Sequence, residues 1–349
     1  MEFGVQFFPA VSPSQKPASV YFSESLKVAE EAERLGFTHA RIVEHYFLPY
    51  GGYSPNPIVF LAAVSQRTSK MRLVTGAVLP IFNHPLKLAG EIGMLDALCN
   101  GRLDVGMARA FLPHEFRHFK VSMDESNARY REGMEQIALL LEHENVSHQG
   151  QFHSFEKVTS LPRPTQLPRP KFYVAATQTP ETFDFAGRNG HALMAIPISP
   201  KMRDLVAIYR KAWKDAGHPG EGQVMMAFHM FCHEDRQKAR DLAREPYASY
   251  FEMLTGVVGE FETTTNSGDY RDYDKMAAKL RVAELDSQIA SGSAWIGSPS
   301  EIRESIRRAN ETFGPFDHAS VQVNFGMVPF DAAMQSLLLF AKKVMPHFA

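Results

Sequence analysis

Residues 72–109 read RLVTGAVLPIFNHPLKLAGEIGMLDALCNGRLDVGMAR, two apolar runs flanking a helical pattern. RLVTGAVL (72–79) and RLDVGMA (102–108) are short, continuously apolar runs, which suits strands buried on both faces. Between them residues 85–99 carry a helical pattern. A buried strand, a helix and a second buried strand make a parallel crossover unit.

The same unit recurs along the chain. Candidate strands are FGVQFF (3–8), HARIVE (39–44), KFYVAAT (171–177), HALMAIP (191–197), VMMAFHMFC (224–232) and SVQVNFG (320–326). Helical patterns fall at 22–36, 57–68, 125–142, 180–189, 201–215, 234–254, 299–313 and 331–345. The first places Leu26, Ala29, Ala32 and Leu35 on one face, with Gly36 as its stop. Eight strand-helix units point to an α/β fold, a (β/α)8 TIM barrel with long insertions at its C-terminal face, built as one domain over 1–349. No G-x-G-x-x-G follows the first strand, which counts against a Rossmann nucleotide site.

Two stretches fit the barrel poorly. Residues 143–170 form a Pro-rich excursion ending in LPRPTQLPRP, and 255–292 include the polar run ETTTNSGDYRDYD. Long loops after barrel strands build and cover active sites, so 255–292 is a candidate mobile lid; a disordered loop has the same composition.

Composition narrows the class. The chain is 44% hydrophobic and 22% charged, with a formal net charge of −2, so nucleic acid and anionic membranes are not expected partners. Cys99 and Cys232 have no ligand-type spacing, which suits a reducing cytoplasm. The N-terminal MEFGVQFFPAV lacks a basic leader and meets Pro9 early, so it reads as a strand rather than a signal peptide. No apolar run reaches the ~18 residues of a spanning helix.

In a barrel, chemistry belongs where strands end. Those ends carry Glu44-His45-Tyr46-Phe47, Thr75-Gly76, Arg109, and Ala175-Ala176-Thr177-Gln178-Thr179. The last group opens a helix, whose free N–H groups would suit a phosphate; simple N-capping by threonine is the other reading. His114-Glu115-Phe116-Arg117-His118 also matches H-E-x-x-H, the zinc-peptidase pattern.

The stretches MEFGVQFF, LGFTHARIVEHYF, residues 72–109 and FHSFEKVTSLPRPTQLPRPKFYVAATQTPETFDFAGRNG together resemble the bacterial luciferase-like flavin monooxygenases. The tail GSPSEIRESIRRANETFG and the ending LFAKKVMPHF extend the resemblance to nearly the whole chain. It implies reduced FMN bound at the C-terminal face, delivered by a separate NAD(P)H:flavin reductase. O2 as co-substrate would form a C4a-(hydro)peroxyflavin that oxygenates a small, largely apolar carbonyl-type substrate.

The same resemblance makes His45, with Glu44, the catalytic residues, and assigns flavin contacts to Arg109, Thr75 and Gly76. It implies a non-prolyl cis peptide at the Thr75-Gly76 step and puts the FMN phosphate at 175–179. Relatives carry an arginine where Asn127 stands, so either Arg129 compensates or that contact is weaker. Tyr46 replaces the second histidine of the luciferase α chain, which places the chain among wider relatives rather than light emitters. Phe7, Tyr46, Phe111 and Phe116 are candidate pocket residues.

Residues 110–120 fall in the loop after strand 4 of such a barrel, where relatives share Glu115, Phe116, Arg117 and Phe119 but vary at both histidines. Val121 stands where a metzincin needs glycine, and no third ligand is evident, so no metal is expected. A homodimer through the helices at 57–68 and 85–98 is expected by the same resemblance. The alternatives are an F420-dependent oxidoreductase on the same barrel and a non-catalytic flavin-binding partner subunit.

Overall fold

Continuous burial sorts the strands into a ring. In the computed structural model, which describes residues 1–261, 270 and 284–348, the strands are β1 (Glu2–Phe7), β2 (His39–Ile42), β3 (Arg72–Val78), β4 (Leu103–Met107), β5 (Val146–Gln149), β6 (Ser154–Val158), β7 (Lys171–Ala176), β8 (Ala192–Ala195), β9 (Val224–Cys232), β10 (Ala294–Gly297) and β11 (His318–Gln322). Parallel pairing runs β9-β11-β1-β2-β3-β4-β7-β8 and returns through β8–β9, closing an eight-stranded barrel. All eight strands expected from sequence are the barrel strands. The chain folds as a (β/α)8 barrel.

The helices are α1 (Ala18–Arg34), α2 (Pro57–Ser65), α3 (Pro85–Leu98), α4 (Pro113–Phe119), α5 (Ser126–Glu142), α6 (Pro180–Arg188), α7 (Met202–Asp215), α8 (Arg236–Val258), α9 (Leu285–Ser291), α10 (Pro299–Phe313) and α11 (Phe330–Lys343). Their starts follow local chemistry. The Asn56 side chain accepts from the Ile58 and Val59 N–H groups ahead of α2, and Ser298 with Glu301 forms a capping box on α10, each with proline at the first position.

Alternation sends residues of the barrel strands to two sides. Val5, Phe7, Ile42, Leu73, Val105, Phe172 and Leu193 join the helix-side core, where Phe7 meets Phe60 of α2 edge-on at 5.2 Å. Val74, Ala77, Tyr173, Ala192, Met194 and Met225 form a separate cluster inside the barrel.

The structure corrects several expectations. Within 143–170, β5 and β6 pair as an antiparallel hairpin, followed by cis bonds at Leu161–Pro162 and Leu167–Pro168. β10 is an added strand that, among the described residues, pairs only with 229–232 of β9. Residues 113–119, expected as loop, are helix α4. Helix α1 starts at Ala18, and its buried side is Tyr21, Ser25, Val28, Ala29 and Ala32, leaving Leu26 and Leu35 half-buried. The lid candidate at 255–292 lies largely outside the described residues; those described place 255–258 in α8 and 285–291 in α9. Among the described residues, no helix is long and apolar enough to cross a membrane.

Candidate active site

Parallel strands bring all their C-terminal ends to one rim. His45 follows β2, Arg109 follows β4 and Thr177 follows β7, so the three share it.

His45 is held from two sides. Its Nδ1 lies 3.0 Å from Glu115 Oε1, and the same oxygen accepts the Tyr46 backbone N–H at 3.0 Å. Glu115 is fully buried on α4, so the connection after β4 reaches across β3 to fix the end of β2. Among the described residues, His45 Nε2 has no hydrogen-bond partner. Around the ring stand Phe8 (5.5 Å), Tyr50 (5.6 Å) and Phe111 (6.0 Å). Gly51, at φ +82°, lets the 46–54 loop fold back onto the histidine, since a Cβ there would lie 2.7 Å from His45 Cβ.

Glu44 faces the opposite way and ties β2 to the end of β3. Its carboxylate accepts from the Tyr46 hydroxyl, from Asn83 Nδ2 at 3.0 Å and from the Leu79 N–H at 3.2 Å. Burial outweighs these donors and pushes its carboxyl up to about 7.

The inner wall beside His45 is made of small residues. The non-prolyl cis peptide lies at Gly76–Ala77, one residue beyond the expected Thr75–Gly76 step, where the β3–β4 register shifts. Thr75 Oγ1 donates to the Gly106 carbonyl at 2.8 Å. Ala77 on β3, Ala108 after β4 and Ala175 on β7 pack on the inner cluster, forming a low apolar floor, while Ala176 turns to the helix-side core. A Cβ at Gly106 would fall 2.2 Å from the Thr75 carbonyl oxygen, so no side chain rises there. A planar ring system fits such a floor.

Positive charge gathers on the far side of the floor. The Arg109 guanidinium stacks on Tyr270 at 4.3 Å, and Arg131 of α5 stacks on Phe185 of α6 at 3.3 Å. Burial lowers the Arg131 pKa, and the nearby Arg109 charge acts in the same direction. Thr179 is the residue ahead of α6 and makes no side-chain cap, and the buried Gln178 Nε2 has no hydrogen-bond partner among the described residues. Two guanidinium groups, a helix N-terminus and an unsatisfied amide donor suit a phosphate.

Not every expected residue converges. Arg129 pairs with Glu125 at 2.9 Å and lies on Phe152, while Asn127 is exposed near Arg131 (3.5 Å to Nε). Arg131, two residues beyond Arg129, is the α5 arginine that comes near Arg109. Phe7 points to the helix layer, and its neighbour Phe8 takes the place beside His45. Phe116 is buried against Phe82 and Tyr270. Tyr46 packs on Phe119 at 4.7 Å, and Phe111 faces His45.

Sequence reading missed Glu115 as the partner of His45, although it was in view as the acidic residue of H-E-x-x-H. His114, whose pKa burial lowers, instead contacts the Tyr46 carbonyl through Nε2 at 3.2 Å, and His118 packs on Phe47. Among the described residues, no cluster of three His, Cys, Asp or Glu side chains is placed to hold a metal.

A family model described as luciferase-like monooxygenase matches residues 1–315. The chain is 29% identical to the oxygenase component of flavin-dependent trigonelline monooxygenase from Acinetobacter baylyi, over 97% of this chain and 93% of that protein. Monooxygenase RslO1 from Streptomyces bottropensis superposes over 100% of both chains with a TM-score of 0.89 and 42% identity. The fold is shared with the oxygenating constituent of 3,6-diketocamphane monooxygenase from Pseudomonas putida, solved with FMN. That match has a TM-score of 0.83 and 23% identity, over 99% of this chain and 98% of that one.

Proposed function

The chain belongs to the luciferase-like monooxygenase family, and we propose that it is the oxygenase component of a two-component flavin system. In this reading a separate NAD(P)H:flavin reductase delivers FMNH2, and the protein uses O2 to oxygenate a small, largely apolar carbonyl-type substrate. The observation that carries it is His45 locked by Glu115 on the rim, with the small-residue floor beside it and the Arg109–Arg131 charge beyond the floor.

Reduced flavin, when bound, supplies the two electrons that activate O2 for transfer of one oxygen atom. The chain's own residues do the rest. Arg109, Arg131, Gln178 and the α6 N-terminus hold the phosphate end. The floor of Gly76, Ala77, Ala108 and Ala175 supports the ring. Glu115 accepts from His45 Nδ1, fixing the tautomer that leaves Nε2 to accept or return a proton at the reacting centre. Glu44, occupied by three donors, positions the β2 end rather than meeting substrate. Phe8, Tyr50, Phe111 and Tyr250 of α8, which packs on Phe8 at 5.4 Å, wall out water, which protects oxygen chemistry from wasteful peroxide release.

Parallel anaerobic titrations with FMNH2 and reduced F420 test the reading. It expects FMNH2 to bind tightly and F420 not; F420 binding alone would turn the site to hydride transfer. We also propose a homodimer through α2 and α3, supported by exposed Val59, Met94 and Leu98 on these helices. Sedimentation of Val59→Asp/Met94→Lys as monomer beside a wild-type dimer is the expected outcome, and a monomeric wild type contradicts it.

A further inference from the structure

The inside of the barrel holds a positive charge that nothing in the described chain neutralises. β9, β11, β1 and β2 present His229, Gln322, Gln6 and Arg41 at one level. Gln322 is in register with His229, Val321 with Val5, and Gln6 with Arg41. Val5, Phe7 and Ile42 face the helix layer, so these four face inward. Gln6, Arg41 and Gln322 are more than nine-tenths buried. Among the described residues, five of the layer's polar atoms have no hydrogen-bond partner: Gln6 Oε1, Gln322 Oε1, His229 Nε2, and both Nε and Nη1 of Arg41.

Arg41 is the unusual member. Its one hydrogen bond among the described residues runs from Nη2 to the Gly76 carbonyl at 3.2 Å, and no carboxylate pairs with it. Burial alone pushes its pKa down to about 10. The side chain lies directly against Gly76, where a Cβ would fall 2.1 Å from Arg41 Nε. A neighbouring glutamine can accept an N–H but cannot offset a buried charge, which needs an anion. The guanidinium thus sits at the edge of the floor, behind the backbone on which a planar ligand would rest.

We propose that Arg41 is the counter-charge for the deprotonated N1–C2=O edge of reduced flavin, and that it makes the site prefer reduced to oxidised FMN. This rests on the flavin reading above. Reduced isoalloxazine ionises at N1 near neutral pH and spreads its negative charge over that edge, whereas oxidised isoalloxazine is neutral. A planar guanidinium matches a planar, delocalised anion, and charge placed near N1 is a direct way for a protein to tune a flavin. A substrate carboxylate has related chemistry, so the test is run without substrate.

The first measurement is the near-ultraviolet spectrum of wild-type protein with FMNH2, at a pH where free FMNH2 is mostly neutral. The bound flavin is expected in its anionic reduced form. The second compares dissociation constants for FMNH2 and oxidised FMN in wild type, Arg41→Lys and Arg41→Met. Arg41→Met is expected to weaken FMNH2 binding at least about tenfold more than FMN binding, which lowers the bound midpoint potential by ~30 mV for a two-electron couple. Arg41→Lys is expected to keep most of the preference.

A neutral-form spectrum in wild type overturns the inference even if Arg41→Met fails to fold. So does equal weakening of both flavins in a folded variant. Wild type that binds neither form of FMN would instead defeat the flavin reading itself.

Discussion

Replacing Glu115 tests how the site is held. In Glu115→Ala the part-buried Tyr46 N–H and the buried His45 Nδ1 both lose their acceptor. Each orphaned group costs about 1–3 kcal/mol, so the variant loses roughly 2–6 kcal/mol of stability. With an unfolding entropy of ~2.1 cal/mol/K per residue, 349 residues give about 0.7 kcal/mol/K, so Tm falls roughly 3–8 °C. Glu115→Gln keeps an oxygen for Tyr46 but loses charge assistance, a cost of ~1–2 kcal/mol.

Function follows stability, because Glu115→Ala frees His45 outright whereas Glu115→Gln holds it through a weaker, uncharged acceptor. Thermal melts, paired with absorbance of bound FMNH2 after mixing with oxygenated buffer, read the two effects. Both variants are expected to reoxidise flavin faster than wild type. A Glu115→Ala protein that melts within about 1 °C of wild type and reoxidises flavin at the wild-type rate would refute Glu115 as the holder of His45.

Glu44 predicts a pH effect. Its raised pKa means the native state keeps a proton that the unfolded chain releases between about pH 4.5 and 7. The associated stability is fully present below that window and lost as pH rises through it, about 3 kcal/mol in all. Glu44→Gln should flatten this slope in urea titrations across the window, and an unchanged slope would assign it elsewhere. Gly76→Ala drives a methyl into the Arg41 stem and should cost ~1–3 kcal/mol. Shortening Arg41 to alanine should relieve much of that, and strict additivity in the double mutant would deny the contact. Arg109→Gln and Arg131→Gln should each weaken FMN binding about 10- to 100-fold while leaving riboflavin binding little changed. Equal losses for both ligands would remove these arginines from the phosphate.

The barrel was legible because its eight strands are buried on both faces and read as unbroken apolar runs. The β5–β6 hairpin was not, since VSHQ and SFEKV are mostly exposed and carry no apolar period. β10, four residues long, offered too little pattern beside its neighbours. Helix α4 was hidden by its own sequence, whose histidines suggested a metal while its glutamate was turned to His45. Strand ends located His45, Arg109 and the 175–179 turn, because chain position alone puts them on the rim. Phe7 was misjudged by one residue, and alternation sends it outward and Phe8 inward. Arg41 gave no signal, because a single arginine in HARI reads as a surface residue until the ring closes around it.

The most direct test mixes protein-bound FMNH2 with oxygenated buffer and follows flavin absorbance beside free FMNH2 and the His45→Ala variant. The account predicts that wild-type protein delays reoxidation well beyond the free flavin and that His45→Ala loses most of the delay. Reoxidation of the wild-type complex at the rate of free FMNH2 would contradict it.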